Sequence, residues 1–385
     1  MSKKIIFFST PAYGHIISVY PVLEELVKRG NKVDWYCSAK YKSLVEKSGA
    51  NFIEYAGDFD ELYSLANITA NFYNLFEYLL KLNKQCFLEY YQKIDKDVEL
   101  ILYDSMCSFG KNIAQKLNIK NICLCTTLAY NNYTFTFSNM LLPTIKLAFC
   151  NAIDGIKLIK KENKFRKSVG IKKLDLMDLF VNKGDRTLVF SPNEFQPFAK
   201  TFDKSVIFVG TTIKNRINLD ETRYKKYDIY ISLGSIFTEN RELLDEIIHS
   251  EYLKDKKVII NIGNLDIKSS KKNIELVKHT NQMELLKNCK LFINHGGLNS
   301  VYESIDRSVV QICIPQQEEQ KMNAKIVQKL GIGICIDSFD ERKIEQVEKN
   351  ISKYQSKTKQ FSKIIKKYDG TENAIKVINE LMECK

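Results

Sequence analysis

The chain has 385 residues, 44% of them hydrophobic, and its 58 basic and 46 acidic residues give a net charge of +12. This length is more than one hydrophobic core usually serves, so we expect two domains, and the composition excludes a disordered chain. No apolar run is long enough to span a bilayer, and the ten cysteines do not have the spacing of metal ligands or redox motifs.

The N-terminus is typical of a buried strand and not of a signal peptide. Two lysines precede a short apolar run, but that run breaks after Phe8 and no small-residue cleavage site follows it. We therefore expect a cytoplasmic protein whose thiols are reduced and mostly buried.

The positive charge is concentrated in three clusters, Lys160–Lys167, Lys268–Lys272 and Lys357–Lys367. Nucleic acid or an anionic membrane surface could bind such clusters, and a solvated lysine-rich surface is the simpler interpretation. The clusters lack the interleaved aromatic residues that stack on bases, so we expect no nucleic-acid partner. Weak association with a membrane surface stays open, as does the choice between a monomer and a dimer.

Strands and helices alternate from the N-terminus onward. The first predicted elements are a strand at Lys4–Ser9, a helix at about Ile16–Lys28, a strand at Val33–Cys37, a short helix near Tyr41–Lys47 and a strand at Asn51–Tyr55. This order predicts an α/β fold with a parallel, doubly wound sheet. Further strands are predicted at Val98–Tyr103, Ile122–Cys125, Leu188–Ser191 and Val206–Val209. The charged stretch Lys157–Lys173 is expected to be irregular.

Two titratable side chains follow strands of this predicted sheet. His15 comes after the first strand, and Asp104 closes the strand that begins at Val98. Because the carboxyl ends of parallel strands meet at one edge, the two side chains can come into contact. An aspartate that accepts from one ring nitrogen fixes the histidine tautomer and prepares the other nitrogen to take a proton. The simpler alternative is a surface histidine and an aspartate that caps a helix.

The segment Gly210–Tyr227 is polar and without periodicity, as linkers are, and a second series of strands and helices follows it. We predict an N-terminal domain at 1–210, a linker at 211–227, a second domain at 228–365 and a C-terminal helix within 366–385. The second domain opens with a strand from Ile229 and a small-residue turn. In that turn Ser235 could donate to a phosphate oxygen or merely cap a helix.

The most informative stretch begins with a buried strand at Lys290–Ile293. His295, Gly296 and Gly297 follow it directly, and residues from Leu298 onward have helical character. Two glycines after a strand permit a sharp turn and a close approach of backbone to ligand. The free N–H groups and the positive end of the helix dipole then favour an anion such as a phosphate.

Polar residues continue along this stretch. Asn299 and Ser300 lie in the first helical turn, and Glu303, one turn later, can accept hydrogen bonds from two adjacent hydroxyls of a ribose. A second strand, Val309–Ile314, leads into a polar cluster that contains Glu319 and Gln320, again at the carboxyl end of a strand. The simpler alternative is an ordinary strand–turn–helix in which the polar residues only cap.

Three text strings together carry a family resemblance. The string from His295 to Ala324, HGGxNSxxES followed by a strand and PQxxEQxxNA, closely resembles the C-terminal signature of the family 1 glycosyltransferases. Pro11, Gly14 and His15 are similar to the family's N-terminal motif, and Leu100–Ile119 resembles the segment that carries its base-orienting aspartate. The resemblance covers nearly the whole chain and is nearest to the bacterial macrolide-type glycosyltransferases.

The resemblance implies the GT-B architecture, two facing Rossmann-like domains with a cleft between them, of which the first binds the acceptor. The C-terminal helix has apolar residues at helical spacing and needs a packing partner, and the resemblance implies that it packs back on the first domain. These apolar residues are Ala374, Val377, Ile378 and Leu381. It implies that His15 is the general base and that Asp104 orients it. It also implies that residues of the second domain hold the donor. These are Ser235, His279, Gln282, His295, Gly297, Asn299, Ser300, Glu303, Glu319 and Gln320. Some aromatic residues would line the acceptor site, with Tyr13, Phe72, Phe76 and Tyr130 as candidates, although many aromatics of residues 58–95 will fill helix cores.

The implied activity is an inverting transfer of a sugar, with glucose expected, from a UDP-sugar to a hydroxyl of a small apolar acceptor such as a macrolide, a polyketide or a phenolic compound. No cofactor is expected, and no metal ion, because no DxD-type carboxylate pair is evident. The family usually has tryptophan where this chain has His279, so the choice between UDP and TDP stays open. Two alternatives remain, a lipid or cell-wall glycosyltransferase at the membrane surface and a non-catalytic nucleotide-binding protein.

Overall fold

The computed structural model describes residues 2–55, 59, 72–137, 152–174, 182–216, 222–234 and 241–383. The chain divides into two compact units. The first comprises Met1–Arg216 together with Tyr368–Lys385, and the second comprises Ile217–Lys367. Among the described residues, no helix has both the length and the apolar character that crossing a bilayer requires.

The first unit is built on a parallel sheet whose strands follow the order β3-β2-β1-β4-β5-β6-β7. These strands are β1 (Lys4–Phe8), β2 (Lys32–Cys37), β3 (Asn51–Glu54), β4 (Val98–Asp104), β5 (Lys120–Cys125), β6 (Arg186–Val189) and β7 (Val206–Phe208). The central strands β1 and β4 are nearly continuous apolar runs, as expected where helices cover both faces of a parallel sheet. The order reverses between β1 and β4, so the chain leaves these neighbouring strands in opposite directions.

Helices connect these strands. The described ones are α1 (Tyr13–Lys28), α2 (Lys42–Lys47), α3 (Phe72–Tyr90), α4 (Ser108–Leu117), α5 (Asn132–Phe137) and α6 (Ala152–Val169). The expectation of an irregular segment at Lys157–Lys173 was wrong, because α6 covers most of it. Glu162 and Arg166 form a buried ion pair one helical turn apart, with 2.7 Å between Oε1 and Nε. Opposite charges spaced four residues apart stabilise a helix, so a high content of charged residues does not by itself indicate an irregular segment.

Aromatic side chains form much of the core on one face of this sheet. Phe8 lies edge-on against Phe109 with ring centroids 4.9 Å apart, and it also packs on Tyr36 and Tyr90. Phe59, Phe87 and Tyr90 belong to the aromatic stretch at residues 58–95, and all three are buried. These members of the stretch therefore serve packing.

The second unit has a parallel sheet of the same kind, with the strand order β10-β9-β8-β11-β12-β13. Its strands are β8 (Tyr227–Ser232), β9 (Val258–Asn261), β10 (Ile274–Val277), β11 (Cys289–Asn294), β12 (Val310–Cys313) and β13 (Gly333–Cys335). Its described helices are α7 (Arg241–His249), α8 (Gln282–Leu286), α9 (Leu298–Arg307), α10 (Glu318–Leu330), α11 (Glu341–Lys349) and α12 (Ile351–Ile365). Here the order reverses between β8 and β11.

The last helix, α13 (Gly370–Glu383), returns to the first unit and packs against α1. Its buried face consists mainly of Ala374, Ile375 and Ile378. Polar contacts fix the helix at both ends. Arg29 pairs with Glu372 at 2.7 Å near its start, and Lys120 donates to the carbonyl of Leu381 at 3.0 Å near its end.

Candidate active site

The first candidate site lies where the order of the first sheet reverses, beyond the carboxyl ends of β1 and β4. His15 stands in the first turn of α1, and Asp104 is the last residue of β4. The Nδ1 atom of His15 is 2.7 Å from Oδ2 of Asp104. Asp104 is 1% exposed, whereas the His15 side chain retains 20% of its surface. The structure thus brings the two predicted residues together at a position where open α/β sheets bind ligands.

Two threonines also form hydrogen bonds with this pair. The hydroxyl of Thr10 donates to Oδ1 of Asp104 at 2.7 Å, and Oγ1 of Thr126 is 2.8 Å from Nδ1 of His15. Thr126 follows the end of β5, the neighbour of β4 in the sheet. Sequence reasoning missed both threonines, although each one comes shortly after a strand whose carboxyl end lies at this edge.

The Asp104 carboxylate is ionised. Burial acts to raise its pKa, but the charge and hydrogen bond of His15, the N–H group of Met106 and the hydroxyl of Thr10 outweigh burial, and the net pKa lies below its usual value. An ionised carboxylate at 2.7 Å requires a proton on Nδ1 of His15. In the neutral imidazole Nε2 then carries the lone pair, which is the form that a general base needs.

The second candidate site lies at the corresponding reversal in the second sheet, beyond the carboxyl ends of β8 and β11. His295 follows β11, and its imidazole ring is enclosed by two glycines. A Cβ atom at Gly234 would lie 3.1 Å from the ring, and one at Gly297 would come within 2.9 Å of its Cε1 atom. Helix α9 begins directly after Gly297, so N–H groups without an intrahelical acceptor lie next to the imidazole.

His295 is neutral at physiological pH. Removal of the ring from water lowers its pKa to about 4, although a hydrogen bond with the backbone at Ser232 acts in the opposite direction. A neutral imidazole can still donate one N–H group to an anion. Together with the positive end of the α9 dipole, this arrangement can hold a phosphate group without a buried positive charge.

A hydrogen-bonded network connects three of the predicted donor-binding residues. The side-chain nitrogen of Gln282 donates to Oε2 of Glu303 at 2.7 Å and to Oγ of Ser300 at 3.1 Å. On its other side, the Tyr230 hydroxyl donates to Oε1 of Gln282 at 3.1 Å and lies 2.9 Å from the hydroxyl of Thr280. Tyr230 and Thr280 were not predicted as site residues from the sequence.

The polar cluster after β12 forms the start of helix α10. Gln320 is 6% exposed, and its side-chain oxygen accepts from the N–H group of Gln316 at 2.9 Å. Glu319 is half-buried in the same turn. Asn323 donates to the carbonyl of Gly296 at 3.0 Å, so α10 is tied to the loop that carries His295.

The remaining predicted residues lie in several different parts of the chain, and some lie outside the described residues. His279 is exposed in the loop between β10 and α8, and Asn299 is half-buried in the first turn of α9. Ser235 and the side chain of Phe72 lie outside the described residues. Of the acceptor candidates, Tyr13 is 47% exposed beside His15, Phe76 is half-buried, and Tyr130 is 8% exposed. Within the described ranges, no group of three or more metal-ligating side chains is assembled.

Known proteins resemble this chain in sequence. Residues 242–380 match the family described as "Erythromycin biosynthesis protein CIII-like, C-terminal domain". The chain is 27% identical over 404 residues to the uncharacterized UDP-glucosyltransferase YojK of Bacillus subtilis (strain 168). This alignment covers 99% of this chain and 98% of the relative. It is 30% identical over 348 residues to the NDP-glycosyltransferase YjiC of Bacillus licheniformis. This alignment covers 86% of this chain and 84% of the relative.

Solved structures resemble it in fold. The crystal structure of the glycotransferase of kitacinnamycin superposes with a TM-score of 0.87 at 19% identity, covering 99% of this chain and 100% of that one. The calicheamicin glycosyltransferase CalG4 superposes with a TM-score of 0.82 at 19% identity, covering 99% and 98%. These are GT-B structures, and the two parallel sheets described above are those of the GT-B fold. From the fold and from the 30% identity across most of both chains, we conclude that this chain belongs to the family 1 glycosyltransferases of the macrolide type.

Proposed function

We propose that this protein transfers a sugar, with glucose as the expected one, from a UDP-sugar to a hydroxyl group of a small apolar acceptor such as a macrolide, a polyketide or a phenolic compound. The observation that carries the proposal is the 2.7 Å contact between His15 Nδ1 and Asp104 Oδ2 at a sheet edge. The names of YojK and YjiC support a nucleotide-sugar donor. The names of the kitacinnamycin and calicheamicin enzymes support a natural product as the acceptor.

In the proposed reaction His15 acts as the general base. Its Nε2 atom removes the proton from the acceptor hydroxyl, and the acceptor oxygen forms a bond to the anomeric carbon as the bond from that carbon to the diphosphate oxygen breaks. Asp104 stabilises the imidazolium that results. Because the acceptor oxygen attacks on the face opposite the leaving group, an α-linked donor yields a β-glycoside.

On the donor side, negative charge develops on the leaving diphosphate, and the protein must stabilise it. We assign its stabilisation to the neutral imidazole of His295, the N-terminus of α9 from Gly297 onward, and the side chains of Asn299 and Ser300. Glu303 is assigned to the ribose, and Glu319 and Gln320 to the sugar hydroxyls. Ser235 is proposed to contact a phosphate and His279 to stack on the base. No metal ion is required in this scheme.

On the acceptor side, the assignments are less specific. Tyr13 stands two residues before His15 in the same first turn of α1 and exposes 47% of its surface, which suits an aromatic wall beside the base. Phe72, Phe76 and Tyr130 are proposed to contribute to the same apolar surface. Such a surface would bind hydroxylated aromatic or polyketide acceptors through their apolar area.

The direct test supplies the purified protein with UDP-glucose and a mixed panel of macrolide and phenolic acceptors, with EDTA present, and measures product masses. We expect a hexose mass gain that is lost in His15→Ala and kept in His249→Ala, a control at an exposed histidine of α7. A gain that survives in His15→Ala would contradict the assigned base. Calorimetric UDP binding without any gain would redirect the search to another sugar or a lipid acceptor. Absence of UDP binding would overturn the donor assignment.

A further inference from the structure

The network around Gln282 joins a buried strand to the proposed ribose site. We propose that Tyr230 is a positioning residue for nucleotide binding, and that it acts by fixing the side-chain amide of Gln282, which in turn holds the Glu303 carboxylate. This inference rests on the proposed role of Glu303 in binding ribose. It also assigns Gln282 a different role from direct contact with the ligand, namely the orientation of Glu303.

Tyr230 is held rigidly inside the second unit. It is fully buried, and its ring stacks on Phe292 with centroids 4.8 Å apart and an angle of 10° between the planes. Burial raises the pKa of its hydroxyl well above the usual value, so the hydroxyl stays protonated and can donate at any physiological pH. A rigid ring with a permanent donor provides a fixed reference point for its hydrogen-bond partners.

The Tyr230 hydroxyl and the Glu303 carboxylate together determine how the Gln282 amide is oriented. It donates to Oε1 of Gln282, and it can do so while accepting from the hydroxyl of Thr280. The amide nitrogen of Gln282 then points at Oε2 of Glu303, 2.7 Å away. A flipped amide would place its oxygen against that carboxylate, where two acceptors repel each other. The orientation therefore follows from the partners on both sides.

Glu303 needs such a partner because it lies in α9 at 9% exposure, where water solvates it poorly. A buried carboxylate is costly unless hydrogen bonds satisfy its oxygens. The Gln282 amide supplies one of these bonds and fixes the plane of the carboxylate. A fixed carboxylate can accept two adjacent ribose hydroxyls without losing further side-chain freedom when the nucleotide binds.

The test is the dissociation constant for UDP measured by calorimetry. Tyr230→Phe keeps the ring and its stacking and removes only the hydroxyl, and we expect the dissociation constant to rise about fivefold, as for one hydrogen bond lost. Tyr227→Phe is the matched control. Tyr227 is a buried tyrosine of the same strand and hydrophobic cluster, and its hydroxyl donates to a carboxylate at another place, Oε2 of Glu275 at 2.8 Å. We expect Tyr227→Phe to leave UDP binding unchanged.

A double-mutant cycle shows whether Tyr230 acts through Glu303. In a Glu303→Ala background, Tyr230→Phe should have no further effect on UDP affinity, because the link to the ribose is already absent. The Tyr230→Phe effect should also shrink when 2′-deoxyuridine diphosphate replaces UDP. In turnover, KM for the UDP-sugar should rise while kcat changes little, because the ribose contact is the same in the ground state and the transition state.

Two outcomes would overturn the inference and are distinguishable from a failure of the proposed function. Unchanged UDP affinity in Tyr230→Phe, with weakened affinity in Glu303→Ala, would refute the positioning role and keep the ribose role. If Tyr230→Phe weakens UDP binding equally in the wild-type and in the Glu303→Ala background, Tyr230 does not act through Glu303. If Glu303→Ala itself binds UDP normally, the ribose assignment fails and this inference fails with it. If Tyr230→Phe does not fold, Gln282→Ala tests the same connection between Tyr230 and Glu303. Gln282 is half-buried in the first turn of α8.

Discussion

One carboxylate decides which nitrogen of His15 can accept a proton. The ionised Asp104 holds the proton on Nδ1 and leaves the lone pair on Nε2, and the hydroxyls of Thr10 and Thr126 hold both partners in place. His15 and Asp104 could be predicted because each follows a strand of one parallel sheet. The threonines could not, because hydroxyl residues are common after strands and the sequence does not fix which way they point.

The Thr126 hydroxyl should contribute to turnover without contributing to donor binding. Thr126→Val keeps the shape of the side chain and removes a hydrogen bond next to a charged pair, so we expect kcat to fall about tenfold. UDP affinity should be unchanged, and Thr126→Ser should restore most of the rate. Thr187→Val, at a buried threonine within β6, is the control. A normal rate in Thr126→Val would remove this residue from the account.

His295 should make the stability of the second unit depend on pH. Its folded pKa of about 4 lies below the usual 6.5, so the unfolded chain takes up a proton first as the pH falls. The contribution of this residue is therefore present above about pH 6.5 and is lost as the pH falls toward 4. Between pH 7 and pH 5 we expect a loss of about 2 kcal/mol in the free energy of unfolding that His295→Gln does not show. Urea titrations at the two pH values measure it, and an equal loss in both proteins would contradict it.

The turn between β11 and α9 forms the proposed anion site. Gly297 precedes α9 and lies so close to the His295 ring that a side chain there would overlap it. The strand, the glycines and the helix were all predicted from the sequence. The close packing of Gly234 on the same ring was not predicted. Gly234 follows β8 and His295 follows β11, and the sequence does not show that these two strands are neighbours in the sheet.

Gly297→Ala should therefore impair donor binding. The added methyl group would displace the imidazole of His295 from the start of α9, and we expect UDP affinity to fall at least tenfold and stability by about 1–3 kcal/mol. Gly155→Ala in α6 is the control, because a Cβ atom there meets nothing within 4 Å. Calorimetry and urea unfolding check both effects. Tight UDP binding in Gly297→Ala would show that the close contact has no role in the donor site.

The whole chain is organised as two similar units whose sheets both reverse their strand order at a candidate site. The alternation of strands and helices predicted this architecture. The structure divides into its two units after Arg216 and after Lys367. The apolar stripe of the last helix showed that α13 needed a partner. The stripe could not identify that partner, because any apolar surface satisfies it, and the choice of the first domain came from the family resemblance.

The packing of α13 predicts which unit depends on it. Ile378 is fully buried in the first unit, so Ile378→Ala should lower the stability of that unit by about 2–5 kcal/mol. Trp35, the one tryptophan of the chain, is buried in β2 and reports the unfolding of the first unit through its fluorescence. Lys376→Ala, on the exposed side of α13, is the control. UDP affinity of folded Ile378→Ala should be normal. An unchanged tryptophan transition would refute the assignment of α13.

The most direct measurement of the central claim pairs turnover with donor affinity in His15→Ala. If His15 is the base for the acceptor hydroxyl, glycosyl transfer should fall at least a hundredfold, as for a lost general base, while the dissociation constant for UDP stays at the wild-type value. A protein that binds UDP normally and no longer transfers sugar is the predicted result. Transfer at the wild-type rate, or UDP affinity that falls as far as turnover, would contradict the account.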